Sequence, residues 1–255
     1  MSEHATSAPI STNQPQILST EAFLRSVHAL HPRLAVFDCD GTLWSGDAGS
    51  TFMRWTMDNG LLSAEKTAWL NGRYDGYNAG QVSELAICGE MVQVYEGIPI
   101  AEMHRAAATF FAERIEKNIF PELAGLLADL QRTGVEIWAV SSTCDWVIEE
   151  GVKRFGIPPE RVLAACVEEE HGLATSRLID VPTDAGKVAS LKRMGITAPD
   201  VVFGNSVHDY AMLAIARSQG GISGAFPVNP SAELQRRSAE SGWPVFWPNS
   251  VRPAS

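Results

Sequence analysis

Two carboxylates close together at the end of a short apolar run are the part of this sequence best suited to chemistry: Leu34-Ala35-Val36-Phe37-Asp38-Cys39-Asp40-Gly41-Thr42-Leu43. In extended backbone residues i and i+2 share a face, so Asp38 and Asp40 point the same way and can offer hard oxygen ligands to one divalent cation. A carboxylate beside such a cation can attack phosphorus. Gly41-Thr42 reads as a turn, which puts the pair at the carboxyl end of a strand, where open α/β sheets hold their active sites. Cys39, between the two acids, reads as a buried thiol within that strand. Taken alone, Asp-x-Asp-Gly also describes a solvated turn, so the rest of the chain decides.

The elements that must position this pair alternate between helix and strand. Ser19-Thr20-Glu21 caps a helix that runs to about Leu30 and is stopped by His31-Pro32. After the strand with Asp38, the pattern is helical over 49–57, 63–69, 81–95 and 100–117, with breaks at Asn59-Gly60, Asn71-Gly72 and Gly97-Ile98-Pro99. A helix over 121–132 and an apolar strand over 135–140 follow, the strand ending in Ser141-Ser142-Thr143. Next come a helix over 144–155, a strand over 161–167, and a hairpin over 168–179 turning near His171-Gly172. The acids Glu168-Glu169-Glu170 read as a solvated edge that discourages pairing with another molecule. A helix from Asp184, a strand over 201–206, a helix over 210–217, a strand region over 221–228, a helix over 232–241 and a last strand within 243–247 complete the chain. Such alternation predicts an α/β fold, a Rossmann-like, mostly parallel sheet with helices on both faces and an inserted α-helical cap. The predicted division is a flexible tail over 1–16, an α/β catalytic core over 17–43 and 119–255, and the cap over 44–118.

At 255 residues the chain holds enough apolar sequence, 45%, for one substantial core. A formal charge of −10 argues against nucleic acid or an anionic membrane as partner, since both require a basic surface. No apolar run approaches the roughly 20 residues that span a bilayer. Cys39, Cys88, Cys144 and Cys166 form no Cys-x-x-Cys pair and have no histidines at zinc spacing, so they read as reduced thiols. Residues 1–16 are polar, without the apolar stretch of a signal peptide, which points to the cytoplasm. The expected partner is a small molecule, and the oligomeric state is left open.

Four segments, in order, resemble the motifs of the haloacid dehalogenase superfamily. They are Asp38-Cys39-Asp40-Gly41-Thr42 after its strand, Ser141 after Ile137-Trp138-Ala139-Val140, Lys187 in Pro182-Thr183-Asp184-Ala185-Gly186-Lys187, and Phe203-Gly204-Asn205-Ser206-Val207-His208-Asp209. The resemblance covers residues 34 to about 228, and the helical insertion after the first motif is similar to the cap of phosphoserine-phosphatase-like members. It implies a Mg²⁺-dependent phosphatase acting on a small phosphorylated metabolite. Asp38 would be the nucleophile that forms an aspartyl-phosphate, and Asp40 the general acid and base. Ser141 and Lys187 would bind the phosphoryl oxygens, with Lys192 a deeper, less suitable rival. Mg²⁺ would be held by Asp38, the main-chain carbonyl of Asp40, and Asp209 or Asn205. Where the family has a first acid in the fourth motif this chain has Asn205, a neutral oxygen with weaker attraction for a cation.

The cap residues offered as selectors of the leaving group are Trp44, Asp47, Arg54, Arg73 and Tyr74. Asp47, in a short polar turn beyond the catalytic loop, could meet an amine or merely cap the next helix. His208 reads as a helix-start residue. Phosphoryl transfer to another metabolite by the same nucleophile is the enzyme alternative. Metal-independent haloacid dehalogenation is disfavoured by Asp40 although Asn205 echoes it, and a non-catalytic phosphate-binding module is the alternative from another class.

Overall fold

The computed structural model describes residues 14–252, so most of the predicted tail lies outside the described residues. A short strand β1 (Ile17–Leu18) and helix α1 (Thr20–Ala29) precede strand β2 (Leu34–Phe37). Ser19 caps α1, its hydroxyl accepting the Ala22 N–H. Helices α2 (Ala48–Asp58), α3 (Ala64–Asn78), α4 (Glu84–Gln93) and α5 (Ile100–Phe110) follow, the last continuing into a π turn over Phe111–Ile115. Then come α6 (Pro121–Arg132), β3 (Glu136–Cys144), α7 (Asp145–Val152), β4 (Val162–Glu170), β5 (Leu173–Asp180), α8 (Ala185–Arg193), β6 (Val201–Gly204) and α9 (Tyr210–Ala214). The chain ends with a two-rung hairpin β7 (Ser218–Gln219) and β8 (Ile222–Ser223), then β9 (Ala225–Pro227), α10 (Ala232–Ser241) and β10 (Val245–Phe246).

The main sheet has the order β5-β4-β3-β2-β6-β9 and is parallel except where β5 returns antiparallel beside β4. β2 is central because its residues are apolar on both faces. Ala35 and Phe37 enter the larger core with Ile137, Ala139, Val201 and Phe203, while Val36 enters the other core with Trp138, Val140 and Val202. Phe37 stacks on Phe203 with ring centroids 4.2 Å apart. Fully burying each such ring stabilises the fold by roughly 1.5–3 kcal/mol. The chain leaves β2 for β3 on one side and later returns to β6 on the other, so the carboxyl end of β2 is the switch point where a crevice opens.

Several expectations need correction. β2 stops at Phe37, and Cys39 lies in the loop beyond it, where its carbonyl accepts the N–H groups of Thr42 (3.1 Å) and Leu43 (2.8 Å) and turns the chain back. Asn71-Gly72 does not interrupt α3. A buried Leu70 anchors the helix there, and packing overrides the weak propensity of Gly. β3 continues through Ser141-Ser142-Thr143 to Cys144, with an irregular register against β4. α9 ends at Ala214, earlier than predicted, and β10 pairs with β1 in a separate two-stranded ribbon. The hairpin of β4 and β5 does turn at His171-Gly172. However, Glu168 and Glu170 are on an internal strand and pair with Arg177 of the edge strand β5, so they do not form a free acidic edge.

That hairpin is tied to the helical layer through main-chain bonds: Ala174 N–H to Ile98 O (2.9 Å), Gly97 N–H to Ala174 O (2.8 Å) and Ile100 N–H to Gly172 O (3.0 Å). A second tie is apolar. Trp44, immediately after the loop of Asp38 and Asp40, meets Phe111 edge to face at 5.1 Å, and both rings lie against Gly151 of α7. A Cβ at position 151 would sit 2.6 Å from the Phe111 ring and 2.8 Å from the Trp44 ring. Among the described residues no helix is long and apolar enough to cross a membrane. Gly151→Ala is expected to destabilise the protein by about 1–3 kcal/mol through overpacking, read as a lower urea midpoint, with an unchanged midpoint contradicting this packing.

Candidate active site

Asp38, Ser141 and Asn205 come from the carboxyl ends of three adjacent strands, β2, β3 and β6, and with Asp40 and Lys187 they line one cavity of about 220 Å³. The turn that brings them together depends on Gly41. Its φ is +73°, and a Cβ there would lie 1.9 Å from the side-chain nitrogen of Asn205, so the first loop and the β6 loop are in direct contact.

At the centre of the site is a buried ammonium. Lys187 Nζ donates to Asp38 Oδ1 (2.7 Å), Asp209 Oδ1 (2.6 Å) and the carbonyl of Val140 (3.1 Å). Lys187 is 2% exposed, Asp38 5% and Asp209 1%, so all three charges are out of water and depend on one another. Burial works against the ammonium, yet Asp209 and Asp38 outweigh it and hold Lys187 protonated. Burial, then the charge of Asp209, pushes the Asp38 carboxyl up to about 7, with Lys187 and the Thr42 hydroxyl opposing the rise. Thr42 Oγ1 donates to Asp38 Oδ2 at 2.8 Å.

Asp40 is held from three sides. Its Oδ1 accepts Trp44 Nε1 (2.6 Å) and the Ala48 N–H (2.8 Å), while Oδ2 accepts Thr143 Oγ1 (2.7 Å). Burial, then the charge of Asp47, raises its pKa to about 6. Oδ2, whose partner is a hydroxyl able to donate or accept, is the oxygen free to carry a proton. A carboxyl group poised near neutrality is suited to general acid and base work. Ser141 is buried, and its Oγ accepts the Thr143 N–H at 3.2 Å.

Not every predicted site residue is in the cavity. Asp209 sits behind Lys187: its Oδ1 serves the ammonium, and its Oδ2 accepts the N–H groups of Asn205 (2.9 Å) and Ser206 (2.9 Å) and the Ser206 hydroxyl (3.2 Å). Asp209 therefore braces the loop, and Asn205, Ser206 and His208 are the fourth-motif residues that line the cavity. Asp47 and Tyr74 line its far wall, with Asp47 also capping α2 through Ser50. The expectation that Trp44, Arg54 and Arg73 select the substrate is not met. Trp44 is fully buried behind Asp40, Arg54 lies over the Tyr74 ring at 5.3 Å, and Arg73 forms a two-pronged pair with Glu90 (2.8 and 2.7 Å). Sequence reasoning missed Thr143 as a brace of Asp40, and missed Tyr77, Glu84 and His208 as cavity residues. Tyr77 could have been found from its three-residue spacing to Tyr74, which puts both rings on one face of α3.

With this geometry in view, the relatives can be compared. The sequence profile of the haloacid dehalogenase-like hydrolase family matches residues 35–214, more than half of the chain. The chain belongs to the haloacid dehalogenase-like hydrolases. It is similar, at 27% identity over 227 residues, to a histidinol-phosphatase of Neisseria meningitidis serogroup C (strain 8013), covering 84% of this chain and 97% of the relative. A protein of unknown function from Bordetella pertussis Tohama I shares its fold with a TM-score of 0.68 at 20% identity, covering 84% of this chain and 98% of that one. A substrate-bound phosphoserine phosphatase complex superposes with a TM-score of 0.56 at 15% identity, covering 86% and 93%. As a member of this family it is a hydrolase, and it carries a second carboxyl, Asp40, two residues after Asp38.

Replacing the ammonium tests this charge arrangement. In Lys187→Met the Asp38 carboxyl loses a partner that lowers its pKa, so it rises further above the unfolded value of about 3.9. A carboxyl raised in this way stabilises the folded state at low pH and loses that contribution as pH rises. Lys187→Met should therefore be weakened by about 3–5 kcal/mol at pH 8 and by less at pH 5, measured by urea unfolding. A deficit that is constant or grows toward acid would contradict the arrangement.

Proposed function

We propose that the protein is a Mg²⁺-dependent phosphatase that hydrolyses a small phosphomonoester through an aspartyl-phosphate, an acyl phosphate, on Asp38. The observation that carries this reading is the pairing of a buried carboxylate, fixed by Lys187 and Thr42, with a second carboxyl of pKa about 6 in the same cavity.

In the first step an Asp38 carboxylate oxygen attacks phosphorus in line, the bond from phosphorus to the leaving oxygen breaks, and Asp40 gives its proton to that oxygen. In the second step Asp40 takes a proton from water as the water oxygen attacks phosphorus. The bond from phosphorus to Asp38 then breaks and inorganic phosphate leaves. Ser141 Oγ is placed to donate to a phosphoryl oxygen. The three Lys187 N–H bonds are all engaged before substrate arrives, which differs from a lysine waiting for phosphate. Once Asp38 is esterified and uncharged, the N–H it held is free to turn to the phosphoryl group, so the lysine stabilises charge where it develops.

A divalent cation suits this donor set. Among the described residues no three His, Cys, Asp or Glu side chains converge as a metal site, so the ion would rest on mixed oxygens. Those are the Asp38 carboxylate, the Asp40 main-chain carbonyl and the Asn205 amide oxygen, hard donors fitted to Mg²⁺. Burial and the charge of Asp209 raise the Asp38 carboxyl, so a cation bound beside it would favour its ionised form. Bound Mg²⁺ would neutralise charge on the phosphoryl oxygens. With Asn205 supplying no charge, affinity for the ion should be weaker than with an acid in its place.

The test is release of inorganic phosphate from a panel of phosphomonoesters, with Mg²⁺ and with EDTA, and with acceptor alcohols to detect phosphoryl transfer. Because the Neisseria relative is named a histidinol-phosphatase, histidinol phosphate belongs at the head of the panel. Release that needs Mg²⁺ and falls by about 10³-fold or more in Asp38→Asn is the expected outcome. Equal release in EDTA, or a variant as active as the parent, would overturn the reading.

A further inference from the structure

We infer that Glu84 selects a leaving group that carries a cationic nitrogen and no carboxylate, an inference that rests on the phosphatase reading of the same cavity. Glu84 opens α4, and its side chain is 17% exposed. Its Oε2 is buried and has no hydrogen-bond partner. Its Oε1 accepts a weak bond from the Cys88 thiol at 3.6 Å, and the Tyr77 phenol stands beside the same carboxylate.

An acid in the first turn of a helix is ordinarily explained by the helix dipole, with its oxygens in water. That explanation does not cover an oxygen shut away from solvent, since a buried charged acceptor without a donor is costly unless something else supplies one. His208 is the nearby ring donor to consider. Its Nε2 stands 4.0 Å from Oε2, beyond hydrogen-bond length, while its Nδ1 is already bonded to Asp184 at 2.9 Å. Glu84 lines the cavity that holds Asp38 and Asp40.

The rest of the far wall agrees. Tyr77 presents an aromatic ring there, a surface that attracts cations, while the Tyr74 ring 5.9 Å from it already carries the Arg54 guanidinium. Burial and the neighbouring Glu84 carboxylate hold the Tyr77 phenol above its usual range, so it remains a neutral donor. Lys187 is the lysine of the cavity lining and is committed to Asp38 and Asp209, and among the described residues no arginine lines it. A carboxylate on the leaving group would face Glu84 and Asp47, and like charges discriminate by repulsion. An ammonium or a protonated heterocycle would balance the Glu84 carboxylate.

The test compares kcat/KM for matched phosphomonoesters with Mg²⁺ present: an aminoalkyl phosphate, the same ester N-acetylated, and one bearing both amine and carboxylate. The wild type should prefer the aminoalkyl ester by about 10- to 100-fold over each of the others, the range typical when a buried polar group is left without its partner. Glu84→Gln should collapse the ratio of cationic to acetylated ester toward one, mainly through KM, and Glu84→Arg should shift preference toward the carboxylate-bearing ester. A ratio near one in the wild type, or a ratio unchanged in Glu84→Gln, would overturn the assignment while leaving the phosphatase reading intact. If no ester is hydrolysed the phosphatase reading fails, and calorimetry with an aminoalkyl phosphonate and its N-acetyl form decides the subsite by itself. Tighter binding of the amine that is lost in Glu84→Gln would support it, and equal binding would reject it.

Discussion

The site is organised around one buried ammonium shared by two buried carboxylates. Lys187 comes from the first turns of α8, Asp38 from the end of β2 and Asp209 from the loop after β6, so three separated stretches of chain meet at a single nitrogen. Removing three charges from water costs several kcal/mol per ion, and mutual attraction recovers this only with good geometry and full hydrogen bonding. The structure meets that condition: the ammonium has three acceptors, Asp38 has Thr42, and Asp209 has the backbone of its own loop. The same charges that hold the strand tips together set the ionisation of Asp38, which ties the stability of the site to the state of that carboxyl.

The second acid is controlled from the helical side. Trp44 Nε1 and the Ala48 N–H fix one Asp40 oxygen, and Trp44 in turn is fixed by Phe111 and the bare surface of Gly151. The packing of α5 and α7 therefore reaches Asp40 through one indole ring. Asp47, whose charge helps to raise the Asp40 pKa, begins α2. The helical layer both shapes the cavity and tunes the acid within it.

Much of this could be read from residue order, for identifiable reasons. β2 was legible because an apolar run buried on both faces ends abruptly in acids and a turn. Ser141 and Lys187, which line the same cavity, were singled out by their resemblance to family motifs and not by residue type alone. What could not be read were choices among partners. Asp209 is a good metal ligand by type, but its loop offers N–H groups that claim one oxygen and Lys187 claims the other. Trp44 could have turned outward toward a substrate. It turned inward because Phe111, distant in sequence, completes its pocket. Glu84 was hidden by placing the start of α4 at Gln81, whereas Ser83 is the cap and Glu84 the first helical residue. Asn71-Gly72 looked like a break because propensity is local and the burial of Leu70 is not.

The central claim is that Asp38 becomes the phosphorylated residue, and rapid acid quench during turnover followed by peptide mass spectrometry tests it most directly. The account predicts a hydroxylamine-labile phosphate on the peptide containing Asp38, formed before inorganic phosphate appears in solution and absent from Asp38→Asn. Turnover with phosphate on another side chain, such as His208, or with no labelled peptide at any time during a pre-steady-state burst, would contradict it.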